Sequence, residues 1–197
     1  ALSSAASDVY KRQHQQYVWE KFILSGDMGY QNNHREEWSA FHTHYGSQPL
    51  PQTNPDKELG FNLNTFSFSA IGRLIGSSFW EHRMGWDSQF QRNTISGYSF
   101  LLPEYERFTT GVSWLTTYRP DNVLAVSGGI RYDYGRIHVF AHDDPYLATY
   151  LQEQGYSDEQ VESYRWNSRR VNRSFGDYSL SLGVVWTPSV LHQLKVN

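Results

Sequence analysis

The residues best suited to binding chemistry lie in one long polar connection, at about residues 137–173. Its aromatic rings could stack on a ligand, and its guanidinium groups could form paired hydrogen bonds to sugars or anionic chelates. The side chains that we predict to contact a ligand are Tyr164, Arg165, Trp166, Arg169 and Arg170. The same groups could equally anchor the connection against its neighbours, and the sequence favours neither use.

Histidines and carboxylates cluster twice, but neither spacing matches an established metal site. The first cluster contains His34, Glu36, Glu37, His42 and His44, and the second contains His138, His142, Asp143 and Asp144. The chain has no cysteine, which excludes disulfides, Cys-ligated zinc and thiol catalysis. We therefore predict no metal site and no cofactor.

Catalysis is not indicated by the remaining polar residues. Glu81, Asp87 and Asp133 are carboxylates in strand-like segments, where Arg83 and Arg131 offer them ion-pair partners. The sequence contains neither a nucleophile elbow nor a phosphate-binding glycine loop. The formal net charge is −3, with 17 basic and 20 acidic residues, so nucleic acid is not a predicted partner. The sequence thus predicts a protein that is not an enzyme.

The elements that must position these residues are long strands. Apolar and polar residues alternate with period two, as in Leu124, Val126, Ile130, Tyr132 and Tyr134 on one face of a single segment. Alternation over ten or more residues exceeds the usual strand length of about five or six and suits a tilted crossing of a bilayer. We predict an all-β, antiparallel up-and-down meander of about seven long strands that forms part of a transmembrane β-barrel.

The connections alternate between short and long. Tight turns are predicted at residues 76–78, 119–122 and 187–189, and long polar loops at about 34–57, 92–104 and 137–173. This alternation is typical of outer-membrane barrels, whose long loops are extracellular. The mean hydropathy of −0.64 and the lack of a long apolar run exclude a transmembrane helix but not a barrel.

Aromatic residues fall near both ends of these strands, as membrane-interface belts do. Trp80, Trp114, Tyr118 and Trp186 lie near the short turns, whereas Tyr30, Phe90, Phe108, Tyr132, Tyr134, Phe175 and Tyr178 lie towards the long loops. The alternative is a soluble β-sandwich whose apolar faces meet in a core. The strand length and the charges on the polar faces argue against it.

The first residues have a different character. Residues 3–13 resemble the in-frame translation of a widely used transposase-type sequencing adapter, with no basic start and no apolar signal-peptide core. We therefore predict that residues 1–13 are adapter-derived or disordered, and that residues 14–197 form a partial barrel domain. An ordinary polar segment with a helix cap before Val9 is the alternative.

Four segments carry a family resemblance: GYQNNHREEW at 29–38, GYSFLLP at 97–103, SGGIRYDYG at 127–135 and SLSLGVVWTPS at 179–189. Together they resemble barrel strands of TonB-dependent outer-membrane receptors, especially those common in Bacteroidetes-type bacteria. The resemblance implies a barrel of about 22 strands in the outer membrane of a Gram-negative bacterium. It also implies a plug domain outside this segment, through which a TonB-type partner supplies energy for uptake.

The expected partners are therefore outer-membrane lipid, the energy-coupling protein and an extracellular ligand. Iron chelate, cobalamin, glycan and peptide all fit the sequence as ligands. Other functions that fit are a passive porin, a barrel enzyme such as a lipase, and a soluble β-rich carbohydrate-binding domain.

Overall fold

The computed structural model describes residues 3–43, 45, 48–76 and 78–197 and is dominated by one antiparallel sheet of eight strands. Its strands are β1 (Ser3–Val18), β2 (Phe22–Trp38), β3 (Lys57–Ile75), β4 (Trp80–Ser96), β5 (Tyr105–Tyr118), β6 (Leu124–Val139), β9 (Val171–Ser189) and β10 (His192–Val196). Between β6 and β9 the chain forms β7 (His142–Asp143), α1 (Pro145–Glu153), α2 (Asp158–Tyr164) and β8 (Trp166–Ser168).

The strands lie in the sheet in chain order, β1-β2-β3-β4-β5-β6-β9-β10, and each pairs with the next antiparallel. The predicted meander is therefore confirmed, although it has eight strands and not seven. The additional strand is β1, most of which consists of residues 3–13, which the sequence predicts to be adapter-derived or disordered. They are not disordered in the structure, since they pair with β2 from Ser3 opposite Trp38 onwards.

The strands are longer, and the loops shorter, than the sequence predicts. The three long connections span residues 39–56, 97–104 and 140–170. At these strand ends both faces are polar, as in residues 31–37 of β2, so the alternation of apolar and polar residues is lost. The backbone hydrogen bonds continue, because pairing does not require apolar side chains.

The sheet has one apolar and one polar face. In β2 to β6 and β9 the even-numbered residues form the apolar face, which includes Met84, Trp114, Ile130, Leu180 and Leu182. Leu180 and Leu182 are 72% and 70% exposed, so this face is uncovered in the chain itself. The odd-numbered residues form the polar face, and Phe175 lies there, opposite Gly135. The prediction that Phe175 belongs to an aromatic belt of the apolar face is therefore wrong.

The sheet does not enclose a core. The accessible surface is 13850 Å², against about 9,600 Å² for a compact monomer of 23.0 kDa. Among the described residues the buried apolar side chains are Leu59, Leu151 and Val161, all near or within the long connections. A β-sandwich would bury one face of each strand, so this arrangement disagrees with the soluble alternative.

β1 differs from the other strands in the residues that it places on the apolar face of the sheet. Lys11 and Gln13 lie opposite Tyr30 and Met28, and therefore on the apolar face of the sheet. A lysine is costly on the lipid side of a barrel strand. The adapter origin of residues 3–13 stays a prediction, and this placement supports it.

The short turns lie at the end opposite the long connections. In the turn before β6, the Asp121 carboxylate accepts hydrogen bonds from the backbone N–H groups of Val123 (2.9 Å) and Leu124 (2.8 Å). Ser77, in the predicted turn at 76–78, lies outside the described residues. In the described part of the chain, neither helix has the length and apolar character that crossing a membrane requires.

Candidate functional site

The connection between β6 and β9, residues 140–170, folds as a small unit that we call the insertion. The Asp144 carboxylate caps α1 by accepting hydrogen bonds from the backbone N–H groups of Tyr146 (3.0 Å) and Leu147 (3.1 Å). Ser157 and Gln160 form a reciprocal capping box at the start of α2. Each helix thus has a local start signal that the sequence encodes.

The two helices share a core of their own. Leu151 of α1 and Val161 of α2 are 8% and 5% exposed. Outside this core the rings of Tyr156 and Tyr164 pack edge to face at 6.3 Å. The insertion is therefore an ordered unit with two capped helices, and it presents defined side chains towards its neighbours.

The guanidinium of Arg165, one of the predicted ligand contacts, contacts other residues of the insertion. Its guanidinium donates to the Asp143 carboxylate and lies 5.4 Å from the centre of the Trp166 ring. Its carbonyl oxygen accepts a hydrogen bond from the backbone N–H of Asp144 at 2.9 Å. These contacts join the end of α2 to the segment before α1.

Trp166, Arg169 and Arg170 are brought together by the structure. They line one cleft of about 470 Å³ with Glu159 and Glu162 of α2. The Trp166 indole donates to the Glu162 carboxylate at 3.0 Å, and Arg169 donates to the carbonyl of Ser163 at 3.2 Å. Tyr164 is not part of this cleft and packs on Tyr156. Contact of these five residues with a ligand stays a prediction.

A larger cavity lies where three connections meet, and the sequence does not predict it. It has a volume of about 880 Å³ and is lined by residues of the 39–56 connection, the 97–104 connection and the insertion. Tyr45, Tyr98, Phe100, His142 and Tyr146 contribute rings to its wall. Cavities of this size with aromatic walls and a few polar groups are typical of small-molecule sites.

Contacts between the connections hold this cavity in shape. The Ser39 hydroxyl lies 2.7 Å from the Glu58 carboxylate and 2.8 Å from the Tyr98 hydroxyl. The Phe100 and His142 rings stack at 4.8 Å, which joins the 97–104 connection to the insertion. The 97–104 connection thus contacts both the 39–56 connection and the insertion.

Two polar atoms of the cavity wall have no hydrogen-bond partner among the described residues. They are Oε1 of Gln48 and Oγ of Ser99, and both are buried. Leaving such atoms unpaired costs about 1–3 kcal/mol each. A ligand that donates to Gln48 and pairs with the Ser99 hydroxyl would recover this cost.

Asp143 and Asp144 add two carboxylates to the wall of the larger cavity. Hydrogen bonding from Arg165 is the largest effect on Asp143 and holds its pKa below the ordinary value of 3.8, although burial acts in the opposite direction. Burial, together with the nearby Asp144 carboxylate, raises the pKa of Tyr45 above its ordinary value of 10.0. Asp143 is thus ionised and Tyr45 protonated at neutral pH.

Acid is expected to loosen the insertion only below about pH 4. A carboxyl group with a lower pKa in the folded form stabilises that form above its unfolded pKa, and the contribution is lost as the pH falls through the folded pKa. Hydrogen exchange of α1 and α2, corrected for its intrinsic pH dependence, should be constant from pH 7 to 5 and faster below 4. Asp143→Asn should exchange faster already at pH 7. Loosening between pH 7 and 5 would assign the effect to another group.

The histidine clusters do not form a metal site in the described part of the chain, where no group of three or more His, Asp or Glu side chains is placed to hold an ion. His34 pairs instead with Glu36 at 3.1 Å, and the His42 ring packs edge to face against Tyr98 at 5.8 Å. His44 lies outside the described residues.

The strand carboxylates form ion pairs on the polar face. Arg131 lies 2.9 Å from the Asp87 carboxylate and 2.6 Å from that of Asp133. Glu81 accepts from Arg73 at 2.9 Å and from Arg83 at 2.7 Å. These ion pairs agree with the charge network that the sequence indicates. They also occupy the carboxylates that a hydrolytic reaction would need.

Neither a protein-family model nor a curated protein sequence matches the chain. Solved structures do match. The copper transporter OprC superposes with a TM-score of 0.58 at 10% identity, over 96% of this chain and 29% of that one. The open form of the ferric-catecholate import receptor Fiu from E. coli K12 gives 0.56 at 10% identity, over 96% and 34%.

A double mutant of the Serratia marcescens hemophore receptor HasR, in complex with its hemophore HasA and heme, gives a TM-score of 0.53 at 14% identity, over 96% and 29%. The chain thus spans about a third of the length of these proteins, all of which are TonB-dependent receptors. Their identity to this chain is low, so the likeness concerns the fold. The chain has the fold of a segment of the β-barrel of TonB-dependent receptors.

Proposed function

We propose that the chain is part of an outer-membrane receptor for energy-dependent uptake of a scarce ligand, with no catalysis of its own. The observation that carries this proposal is the cavity between three connections at one end of a barrel sheet. In outer-membrane barrels the long loops are extracellular, so this cavity would meet the ligand first. Residues 14–197 would form the partial barrel domain.

The rest of the sheet supports the same function. Its uncovered apolar face suits the lipid of a Gram-negative outer membrane, and its ion-paired polar face suits a wet interior. Energy would come from a TonB-type protein acting through a plug domain outside this segment. The solved structures with this fold are described as a transporter and as receptors, which favours uptake over a barrel enzyme.

Tyr146→Ala in the intact receptor is expected to weaken ligand binding by about 1–3 kcal/mol, the range for an anchor residue. Tyr146 lines the cavity and is 40% exposed. The matched control is Tyr156→Ala, because Tyr156 is 44% exposed in the same insertion but does not line the cavity. Calorimetric titration with cupric ion, a ferric catecholate, heme and maltohexaose would identify a bound probe and compare both variants.

The same titration would test the predicted contacts in the smaller cleft. Trp166→Ala and the pair Arg169→Ala, Arg170→Ala should weaken binding if the ligand reaches from the cavity to this cleft. Equal affinity of Tyr146→Ala and Tyr156→Ala for the bound probe would contradict capture in the cavity. A loss confined to the cleft variants would move the proposed site there.

A further inference from the structure

The wall of the larger cavity carries one lysine and three carboxylates, which are Lys57, Glu58, Asp143 and Asp144. The lysine is paired with a residue outside the wall, because its ammonium lies 2.5 Å from the carboxylate of Glu36. Only 13% of the Lys57 side chain is exposed, so it offers little positive charge to a ligand. The charge that a ligand meets in the cavity is therefore negative.

Two of the three carboxylates have no cationic partner in the described part of the chain. Asp143 is paired within the insertion. Glu58 accepts a hydrogen bond from the Ser39 hydroxyl, whereas Asp144 accepts from the first backbone N–H groups of α1 and from the hydroxyl of Tyr45. Both carboxylates are half-buried, and a bound cation would compensate their charge.

The neutral polar atoms of the wall favour the same kind of ligand. Oε1 of Gln48 and Oγ of Ser99 are buried without a partner, and an amide oxygen can only accept. The backbone N–H groups of Tyr98 and Ser99 already donate to the carbonyl oxygens of Lys57 (3.2 Å) and Glu58 (3.0 Å). A ligand that supplies hydrogen-bond donors is therefore matched by this wall.

Aromatic rings supply the remaining attraction. Tyr146 lines the cavity and is 40% exposed, and the described residues give its ring no stacking partner. The face of such a ring attracts an ammonium or guanidinium group. A bare metal ion is not matched, since no three His, Asp or Glu side chains of the described residues are grouped to hold one. Rings and carboxylates together fit an organic cation.

We propose that the cavity selects a small organic cation, whose ammonium or guanidinium group pairs with Glu58 or Asp144 and whose carbon skeleton packs on the aromatic rings. An anionic chelate would meet two carboxylates of like charge and no available cation in the described wall, which disfavours it. This inference rests on the proposed function, because it names the class of ligand that the receptor captures.

The chain contains no cysteine, so one introduced thiol can report the electrostatic potential of the cavity. Thr53→Cys places the thiol in the wall, and Gln52→Cys is the matched control, because Gln52 is the adjacent exposed residue and does not line the cavity. The intact receptor, with any other cysteine replaced by serine, is reacted with trimethylammonioethyl and with sulfonatoethyl methanethiosulfonate. The ratio of the two rates, corrected by the same ratio for a free thiol, should be about tenfold higher for Thr53→Cys than for Gln52→Cys. Equal ratios at the two positions would overturn the proposal.

Substituting the carboxylates identifies the source of this potential. The pair Glu58→Gln, Asp144→Asn keeps the hydrogen-bond acceptors, including the cap of α1, and should remove most of the difference. The control pair is Glu153→Gln, Asp158→Asn, which removes the same charge from exposed residues of the insertion that do not line the cavity. It should leave the difference intact. An equal effect of the two pairs would contradict a role for Glu58 and Asp144.

Protection by matched probes identifies the class of ligand. Phenethylammonium, phenethyl alcohol and hydrocinnamate share a ring and a short chain but differ in charge. The ammonium should protect Thr53→Cys from neutral methyl methanethiosulfonate at about fivefold lower concentration than the alcohol, and hydrocinnamate should protect least. Equal protection by the alcohol would show the rings acting alone. That result overturns the proposal, as does strongest protection by hydrocinnamate or no protection by the ammonium.

The proposed function fails in a different way. If the receptor is absent from the outer-membrane fraction, or does not show the heat-modifiable migration of a folded barrel, the function itself is wrong. Preferential protection by the anionic probe in a heat-modifiable outer-membrane protein would contradict only the choice of a cation.

Discussion

Leu182→Arg is expected to lower the free energy of unfolding of the intact receptor in lipid vesicles by about 2–4 kcal/mol. Leu182 lies on the apolar face of β9, opposite Gly128, and about midway between Tyr178 and Trp186. An arginine there would place its charge near the centre of the bilayer, where water is scarce. The cost should fall for substitutions nearer either strand end.

Ser181→Arg is the matched control. Ser181 is the adjacent residue on the same strand and lies on the polar face, opposite Gly129. An arginine at this position would extend into the wet interior, so the change in unfolding free energy should be small. Denaturant titration of both variants in vesicles measures the difference. Equal costs, or a larger cost for Ser181→Arg, would mean that the two faces are assigned the wrong way round.

Arg165→Ala is expected to loosen the insertion, because hydrogen bonds to charged groups are stronger than those between neutral groups. The substitution removes the donor to Asp143 and the stacking on Trp166, so the link between α2 and the segment before α1 is lost. Because local opening governs cleavage, chymotrypsin should cut the insertion several-fold faster. Heat-modifiable migration should be unchanged, since the ladder between β6 and β9 is intact.

Arg170→Ala provides the comparison for this prediction. Arg170 is exposed, and the described residues give its guanidinium no hydrogen-bond or ion-pair partner. Both variants lose one arginine and keep every chymotrypsin site. The same cleavage rate in the two variants would mean that Arg165 does not hold the insertion together, and would favour its predicted role as a ligand contact.

Much of the sheet can be predicted from the sequence because one face carries apolar side chains and the other carries polar ones. Where one face is apolar, as in residues 124–134 of β6, the period of two identifies the strand and its register. Where both faces are polar, as from Asn32 to Glu37 of β2, the sequence has no such period although pairing continues. β1 is missed for a different reason, because residues 3–13 are predicted to be adapter-derived or disordered and so are given no strand.

The candidate site is less predictable because its parts are distant in sequence. Tyr45, Phe100 and Asp143 line one cavity only because three connections emerge at the same end of the sheet. Similarly, Arg165 looks like a ligand contact in the sequence, and its Asp143 partner lies 22 residues earlier. The capping of α2 by Ser157, in contrast, depends on four consecutive residues and is therefore local in sequence.

The chain leaves the sheet at Val139 and returns at Val171, and these two residues are paired in neighbouring strands, about 5 Å apart at their Cα atoms. The 31-residue insertion therefore connects the adjacent ends of two neighbouring antiparallel strands, as the loop of a hairpin does. Such a junction tolerates exchange, because any segment with closely spaced ends can replace another without moving β6 or β9. Recombination at this point would change the insertion while leaving the pairing of β6 with β9 unaltered.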